Sequence, residues 1–128
     1  SRNTKREADL RSIQSALEQY HNDQRFYPST IPVGGSALTN LVGRVLPDPA
    51  PSTKTYLNSI PTDPQTSAYV YQAHPTSPAC VNDPAAPTNW CTRYCLYARL
   101  ETTPVTPAPA PCFYTGSALG YNLAITSP

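Results

Sequence analysis

Residues 5–20 have the sequence Lys-Arg-Glu-Ala-Asp-Leu-Arg-Ser-Ile-Gln-Ser-Ala-Leu-Glu-Gln-Tyr, and this stretch decides the fold. Its large apolar residues recur at steps of three, four and three, at Leu10, Ile13, Leu17 and Tyr20. Because an α-helix has about 3.6 residues per turn, this spacing places the four side chains on one face. The stretch therefore predicts an amphipathic helix over about residues 4–22, with a narrow apolar stripe directed at the rest of the domain.

The charged residues of this helix fall outside the stripe. We expect five of them on the solvent-exposed side: Arg6, Glu7, Asp9, Arg11 and Glu18. The 128-residue chain has a formal net charge of +1, so it lacks the basic excess typical of nucleic-acid or membrane-surface binding. Nucleic-acid binding is therefore not indicated, and the length predicts a single domain over residues 1–128.

All four cysteines lie in the C-terminal half of the chain, at Cys80, Cys91, Cys95 and Cys112. An even number of cysteines in a chain with 16 prolines predicts two disulfides and an oxidising compartment. A zinc site is disfavoured because there is no Cys-x-x-Cys pair and neither histidine lies among the cysteines. Four cysteines allow three pairings. Their order along the chain favours Cys80–Cys91 with Cys95–Cys112, and the other two pairings stay open.

A loop region over residues 23–67 is predicted after the helix, because prolines and glycines recur through it. Inside it we expect a short helical turn over residues 37–42, with three side chains directed at the core: Leu38, Leu41 and Val42. The segment 56–60 is expected to return to the core before a rigid turn at residues 61–64. We interpret Asp63 as a turn former.

Three segments with alternating apolar residues predict β-strands, at about residues 68–73, 93–101 and 119–126. The middle segment alternates most regularly and predicts a half-buried strand with this apolar face: Tyr94, Leu96, Ala98 and Leu100. In the last strand the inward side chains are expected to be Tyr121, Leu123 and Ile125. Residues 102–111 are rich in proline and predict an extended surface loop, since proline lacks the N–H group that strand pairing needs.

Taken in order, one long helix, a loop region and three strands predict an α+β fold. We expect the N-terminal helix to pack on a three- to four-stranded antiparallel sheet whose loops are braced by disulfides. The helix contributes the stripe to the core: Leu10, Ile13, Leu17 and Tyr20.

The sequence contains no arrangement typical of an enzyme. It has no Ser-His-Asp order, no paired carboxylates, no glycine-rich phosphate loop and no His-x-x-x-His. We therefore expect no enzymatic activity and no catalytic, cofactor-binding or metal-binding residues. His21 and His74 lie beside breaks in the predicted elements and are expected to be exposed. Trp90 is interpreted as packing against a disulfide rather than as a binding residue.

Two stretches together resemble the soluble half of a bacterial type IV pilin, and in particular the major pseudopilin of type II secretion. Residues 7–20, followed by Phe26-Tyr27-Pro28, resemble the family's D-L-x-x-I-x-x-A-L-x-x-Y helix and the x-Y-P that follows it. The segment 56–64, Tyr-Leu-Asn-Ser-Ile-Pro-Thr-Asp-Pro, is similar to the family's Y-L-x-x-L-P-x-D-P. With residues 38–43, the resemblance extends over about residues 4–73.

The resemblance implies a structural subunit of a type IV pilus-like extracellular filament that serves surface attachment, motility or DNA uptake. It implies an apolar half-helix before Ser1, a leader removed by a prepilin peptidase, and methylation. The partners implied are copies of itself and other pilins, the pilus assembly machinery, and the inner membrane before assembly. Two alternatives stay open: a pseudopilin of a type II secretion system, and a minor tip pilin that acts as an adhesin or ligand-binding module.

The resemblance also raises the question of calcium, because some pseudopilins bind Ca²⁺ through C-terminal acidic side chains and backbone oxygens. In this chain Asp83 is the only acidic residue between Asp63 and Glu101. A calcium ion prefers six to eight oxygen ligands, several of them carboxylates. A calcium site is therefore disfavoured but stays open, and we expect no other cofactor.

Overall fold

The structure, a computed structural model, describes residues 2–40, 53–83, 85–101 and 105–128. Its elements in chain order are the helix α1 and five strands: α1 Arg2–Gln24, β1 Leu38–Thr39, β2 Thr55–Leu57, β3 Val70–His74, β4 Arg93–Ala98 and β5 Leu123–Thr126. Short 3₁₀ turns lie at Pro87–Asn89 and Gly116–Ala118. The predicted α+β architecture is confirmed, because one long helix packs on antiparallel sheets.

The helix α1 is slightly longer than predicted, beginning at Arg2 and ending at Gln24. Its four stripe residues are at most 1% exposed and form one core cluster with side chains of β4. The helix ends where Arg25 adopts a positive φ of 72° and donates its N–H to the His21 carbonyl at 2.7 Å. This left-handed residue is a common C-terminal stop, and Pro28 follows shortly after it.

The main sheet has three antiparallel strands in the order β3-β4-β5. Tyr71 pairs with Leu96, and Leu96 pairs with Ile125, so β4 is the central strand and β3 and β5 are the edges. The strand β4 ends at Ala98, earlier than expected, because the Asn122 side chain takes over the pairing of Leu100. It accepts the Leu100 N–H at 2.7 Å and donates to the Leu100 carbonyl at 2.9 Å.

The helical turn predicted over residues 37–42 is wrong in its described part, because Leu38–Thr39 forms the strand β1. Leu38 pairs with Leu57 of β2 in a separate two-stranded antiparallel sheet. Asn40 then donates its N–H to the Lys54 carbonyl at 3.0 Å. These backbone groups find partners across the chain rather than within a helical turn. Leu41 and Val42 lie outside the described residues.

The strand β4 is buried on both faces, so the expectation of a half-buried strand is wrong. Its alternation is as expected: Tyr94, Leu96 and Ala98 face α1. Cys95 and Tyr97 face a second apolar cluster on the opposite side of the sheet, together with Cys112, Ala118 and Ala124. The chain between residues 108 and 121 covers this second face of the sheet.

The strand β5 is shorter than predicted, and its inward side chains are divided between the two clusters. Leu123 and Ile125 pack against the helix-side cluster, as expected. Tyr121 precedes the strand and packs on the second cluster instead. Tyr121 lies outside the strand because the chain turns through the 3₁₀ element Gly116–Ala118 and through Gly120, whose φ is 85°.

Candidate functional site

Among the described residues, no group of three or more His, Cys, Asp or Glu side chains could hold a metal ion. The acidic residue nearest the cysteines, Asp83, accepts the N–H of Ala85 at 2.9 Å in an exposed turn. Within these same ranges, no helix combines the length and apolarity needed to cross a membrane.

Arg6, in the first turns of α1, is a buried charge that joins the helix to the rest of the domain. Its side chain is 2% exposed. Nε donates to Asp63 Oδ1 at 2.5 Å, and Nη2 donates to Gln65 Oε1 at 3.2 Å. Nη1 donates to Asn3 Oδ1 at 3.0 Å and lies 3.3 Å from Glu101 Oε2. We call these five residues, together with Arg2, which binds the Glu101 carboxylate, the arginine clamp.

Asp63 is as buried as its partner, with 2% of the side chain exposed. Burial alone raises the pKa of its carboxyl. The hydrogen bond from Arg6, the N–H groups of Gln65 and Ser67 and the charge of Arg6 outweigh this effect and lower the pKa below its usual range. Oδ2 accepts the Gln65 N–H at 2.8 Å, so Asp63 forms the expected turn and also holds a buried ion pair.

The outer part of the clamp is exposed and contributes less. Arg2 donates Nε and Nη2 to the Glu101 carboxylate at 2.6 to 3.0 Å, with side-chain exposures of 55% and 37%. The hydrogen bond from Arg2 is the main cause that lowers the pKa of Glu101. Asn3 Oδ1 accepts the Glu101 N–H at 2.9 Å. Together these contacts fasten the start of α1 to the chain beyond β4, although surface ion pairs are weak.

Tyrosine hydroxyls hold further helix carboxylates. Four such hydroxyls donate to three acids: Tyr69 to Asp9 at 2.6 Å, Tyr27 and Tyr94 to Glu18 at 2.9 and 3.2 Å, and Tyr56 to Asp23 at 2.8 Å. Burial, followed by the charge and hydrogen bond of these acids, raises the pKa of Tyr69 and Tyr27. The tyrosine hydroxyls therefore anchor α1 between Asp9 and Asp23, in addition to the packing of its apolar stripe.

These contacts correct the expected exposed face of α1. Arg6 is buried, and Asp9 and Glu18 are half-buried, whereas Glu7 and Arg11 are exposed as expected. The sequence carries a signal for Arg6, which lies four residues before Leu10 and so extends the buried stripe by one turn. An arginine at such a position is expected to need a buried carboxylate.

Two disulfides are present, as predicted. The structure joins Cys80 to Cys91 and Cys95 to Cys112, with Cα–Cα distances of 4.9 and 5.8 Å. The first pair belongs to the helix-side cluster, and the second pair belongs to the cluster on the other face of the sheet. Each disulfide therefore anchors a Pro-rich segment to a different side of β4.

The remaining residues singled out from the sequence have structural surroundings. His21 is half-buried and lies on the Tyr27 ring, with 4.4 Å between ring centres. His74 ends β3 and is also half-buried, so neither histidine is exposed as expected. Burial, followed by the charge of Arg93, lowers the pKa of His74. Trp90 packs 5.2 Å from the Phe26 ring and donates Nε1–H to the Asp83 carbonyl at 2.7 Å.

The comparisons with known proteins address the family. No curated protein and no solved structure matches the chain. The family model for type II secretion system (T2SS), protein G, matches residues 1–96. This match covers more than half of the chain, including α1, Asp63 and the first four residues of β4. The protein is therefore a member of the type II secretion system protein G family, and with it a pseudopilin or pilin-like subunit.

Proposed function

We propose that this protein is a structural subunit of the pseudopilus of a type II secretion machine, a periplasmic filament that helps to move folded proteins out of the cell. The family match over residues 1–96 is the observation that carries the proposal. The matched part contains the helix and the buried pair Arg6–Asp63, which hold the helix and the globular domain together. The role is structural, since a filament subunit acts through its contacts and needs no catalytic residue.

The proposed subunit assembles through an apolar helical segment that precedes residue 1 in the full-length protein and continues α1, as the resemblance to pilins implies. Before assembly this segment anchors the subunit in the inner membrane, and a prepilin peptidase processes it. In the filament it packs among the equivalent segments of neighbours. Burial of apolar surface there contributes about 25 cal/mol per Å².

The arginine clamp supports this role physically. A filament that grows by insertion of subunits at its base transmits force from the helices to the globular domains. Arg6 and Arg2 fasten the first turns of α1 to Asp63 and Glu101, which lie beside β3 and β4. The clamp therefore resists the separation of the helix from the sheet at the point where the load enters the domain.

A second candidate is the subunit of a type IV pilus-like filament on the cell surface, serving attachment, motility or DNA uptake. The observation that favours it is the C-terminal part, residues 97–128, which the family model does not match. This part contains Cys112 and exposed Pro-rich polypeptide fastened by the Cys95–Cys112 disulfide. A surface filament has to resist unfolding outside the cell, where a disulfide typically contributes about 2–4 kcal/mol.

Deletion of the encoding gene distinguishes the candidates. For a pseudopilin we expect exoproteins to accumulate in the periplasm while surface filaments are unchanged. For a pilus subunit we expect surface filaments to disappear while secretion continues, and immunogold labelling restricted to filament tips would instead indicate a minor tip adhesin. Complementation with the wild-type gene is the control. A deletion that alters neither secretion nor filaments refutes both candidates.

A further inference from the structure

A cavity of about 540 Å³ lies beside β3, and we call it the β3 cavity. Its walls come from the helix, from the loops near residues 30–34 and 60–68, and from the sheet. Ile13, Ile31 and Ile60 line it, and Val33, which is 78% exposed, stands at its rim. The cavity lies on the side of the sheet that faces the helix.

The described walls of the β3 cavity offer apolar surface without an unpaired charge. Asp63 is the one charged residue among the lining residues, and Arg6 already holds it. The hydroxyls of Tyr69 and Tyr71 donate to Asp9 Oδ2 and to the Pro28 carbonyl, both at 2.6 Å. The rings of these two tyrosines line the cavity. The chemistry that fits this cavity is therefore an uncharged apolar side chain.

Two exposed apolar side chains lie on the other face of the sheet, within residues 113–119, and we call this segment the docking edge. Phe113 is 67% exposed and Leu119 is 73% exposed. Their neighbours Cys112 and Ala118 are buried at 1% and 2%, so the two large side chains are held outward. The Cys95–Cys112 disulfide and the Phe113 N–H, which donates to Tyr97 Oη at 3.1 Å, fix this position.

The docking edge lies in a part of the chain that is free of charge. Residues 102–128 contain no Asp, Glu, Lys, Arg or His. The centres of protein interfaces are depleted of charged residues and enriched in aromatic ones, because charges are costly to remove from water. The docking edge carries no charge, and the one charged residue that lines the β3 cavity, Asp63, is already paired with Arg6. The fixed position of Phe113 keeps the docking edge out of the cavity of its own molecule.

We propose that the docking edge of one copy inserts into the β3 cavity of the next copy in the filament. This inference rests on the proposed function as a filament subunit. A contact between two different surfaces of the same protein is heterologous, and such contacts propagate into open helical assemblies when the rotation does not close. The occupant is thus a second copy of this chain, with Phe113 and Leu119 as the inserted side chains.

Cysteine cross-linking in filaments of the full-length protein tests the arrangement. Cells produce two variants together, V33C at the cavity rim and L119C on the docking edge. We expect a disulfide-linked dimer when both variants are present and none with either alone, because disulfides form when Cα atoms lie within about 7 Å. A chain that carries both substitutions is expected to give a ladder of multimers.

The control pair combines V33C with S15C, a cysteine on the exposed face of α1. The inference is overturned if the V33C and L119C pair cross-links no more than this control in intact filaments. Filaments that never form from the unsubstituted protein would instead refute the proposed function, so the two failures are distinguishable. Dimers of L119C alone would indicate a two-fold contact and also overturn the inference.

A charge substitution provides a second test. F113D places a carboxylate in the proposed contact, whereas T88D adds the same charge at an exposed position outside both the docking edge and the β3 cavity. We expect F113D to reduce filament yield by about tenfold or more relative to T88D, since burial of a phenylalanine ring is lost and a charge is introduced. Equal thermal unfolding of the two monomers excludes a folding defect, and equal filament yields contradict the inference.

Discussion

Removal of the Arg6 side chain is expected to be among the most destabilising single changes in this protein. The substitution Arg6→Ala leaves the Asp63 carboxylate, 2% exposed, without its ion-pair partner. Breaking a buried ion pair by deleting one partner typically costs about 3–5 kcal/mol. Asp63 keeps the N–H of Gln65 at 2.8 Å, so we expect the lower end, about 3 kcal/mol. For a denaturation slope of about 1–3 kcal/mol per M, this loss lowers the urea midpoint by roughly 1–3 M.

Urea unfolding followed by far-ultraviolet circular dichroism measures this change, and Arg11→Ala is the matched control. Arg11 lies on the exposed face of the same helix, so we expect its removal to change stability by about 0.5 kcal/mol or less. The difference between Arg6→Ala and the wild type should also shrink at low pH, because a protonated Asp63 no longer needs a counter-charge. If Arg6→Ala costs no more than Arg11→Ala, the buried pair does not hold the helix and our reasoning on the clamp is wrong.

Three further predictions concern acid stability, the second disulfide and the tyrosine contacts. The pKa of Asp63 is lowered in the folded state, so its carboxylate stabilises the fold above the unfolded pKa of about 3.9, and this stabilisation is lost as the pH falls through the folded value. We therefore expect Asp63→Asn to reduce the loss of stability that acid causes, as measured by unfolding free energy against pH. Replacing Cys95 and Cys112 by alanine opens a loop with a sequence separation of 17 and should lower the free energy of unfolding by about 3 kcal/mol. The C-terminal segment should then be cut by proteases, and an unchanged digestion pattern would argue that the disulfide does not anchor it. Tyr27→Phe removes the hydrogen bond to Glu18 and should cost about 1–2 kcal/mol in chemical denaturation, whereas a neutral result would mean that water replaces the hydroxyl.

The candidate site was only partly predictable from the sequence. Asp63 was recognisable as a turn residue because Pro64 and Thr62 flank it, and that information is local. Its ion pair with Arg6 spans 57 residues of sequence, and no local pattern indicates which carboxylate an arginine will reach. The same reasoning applies to the tyrosine hydroxyls that bind Asp9 and Glu18. Both acids were predicted to be exposed because they lie off the apolar stripe, and the helix geometry contains no information on the tyrosines that reach them.

The even number of cysteines indicated two disulfides, and the stripe of α1 and the alternation of β4 could be recognised in the sequence because these two signals are periodic. These signals are local because an element repeats every 3.6 or 2 residues whatever it packs against. Only the tertiary structure decided that Leu38 belongs to a strand, because its partner Leu57 arrives from beyond residues 41–52. It also decided that β4 is buried on both sides. The C-terminal segment that covers the second face is Pro-rich and has no regular spacing of apolar residues, so its packing against β4 could not be predicted from the sequence.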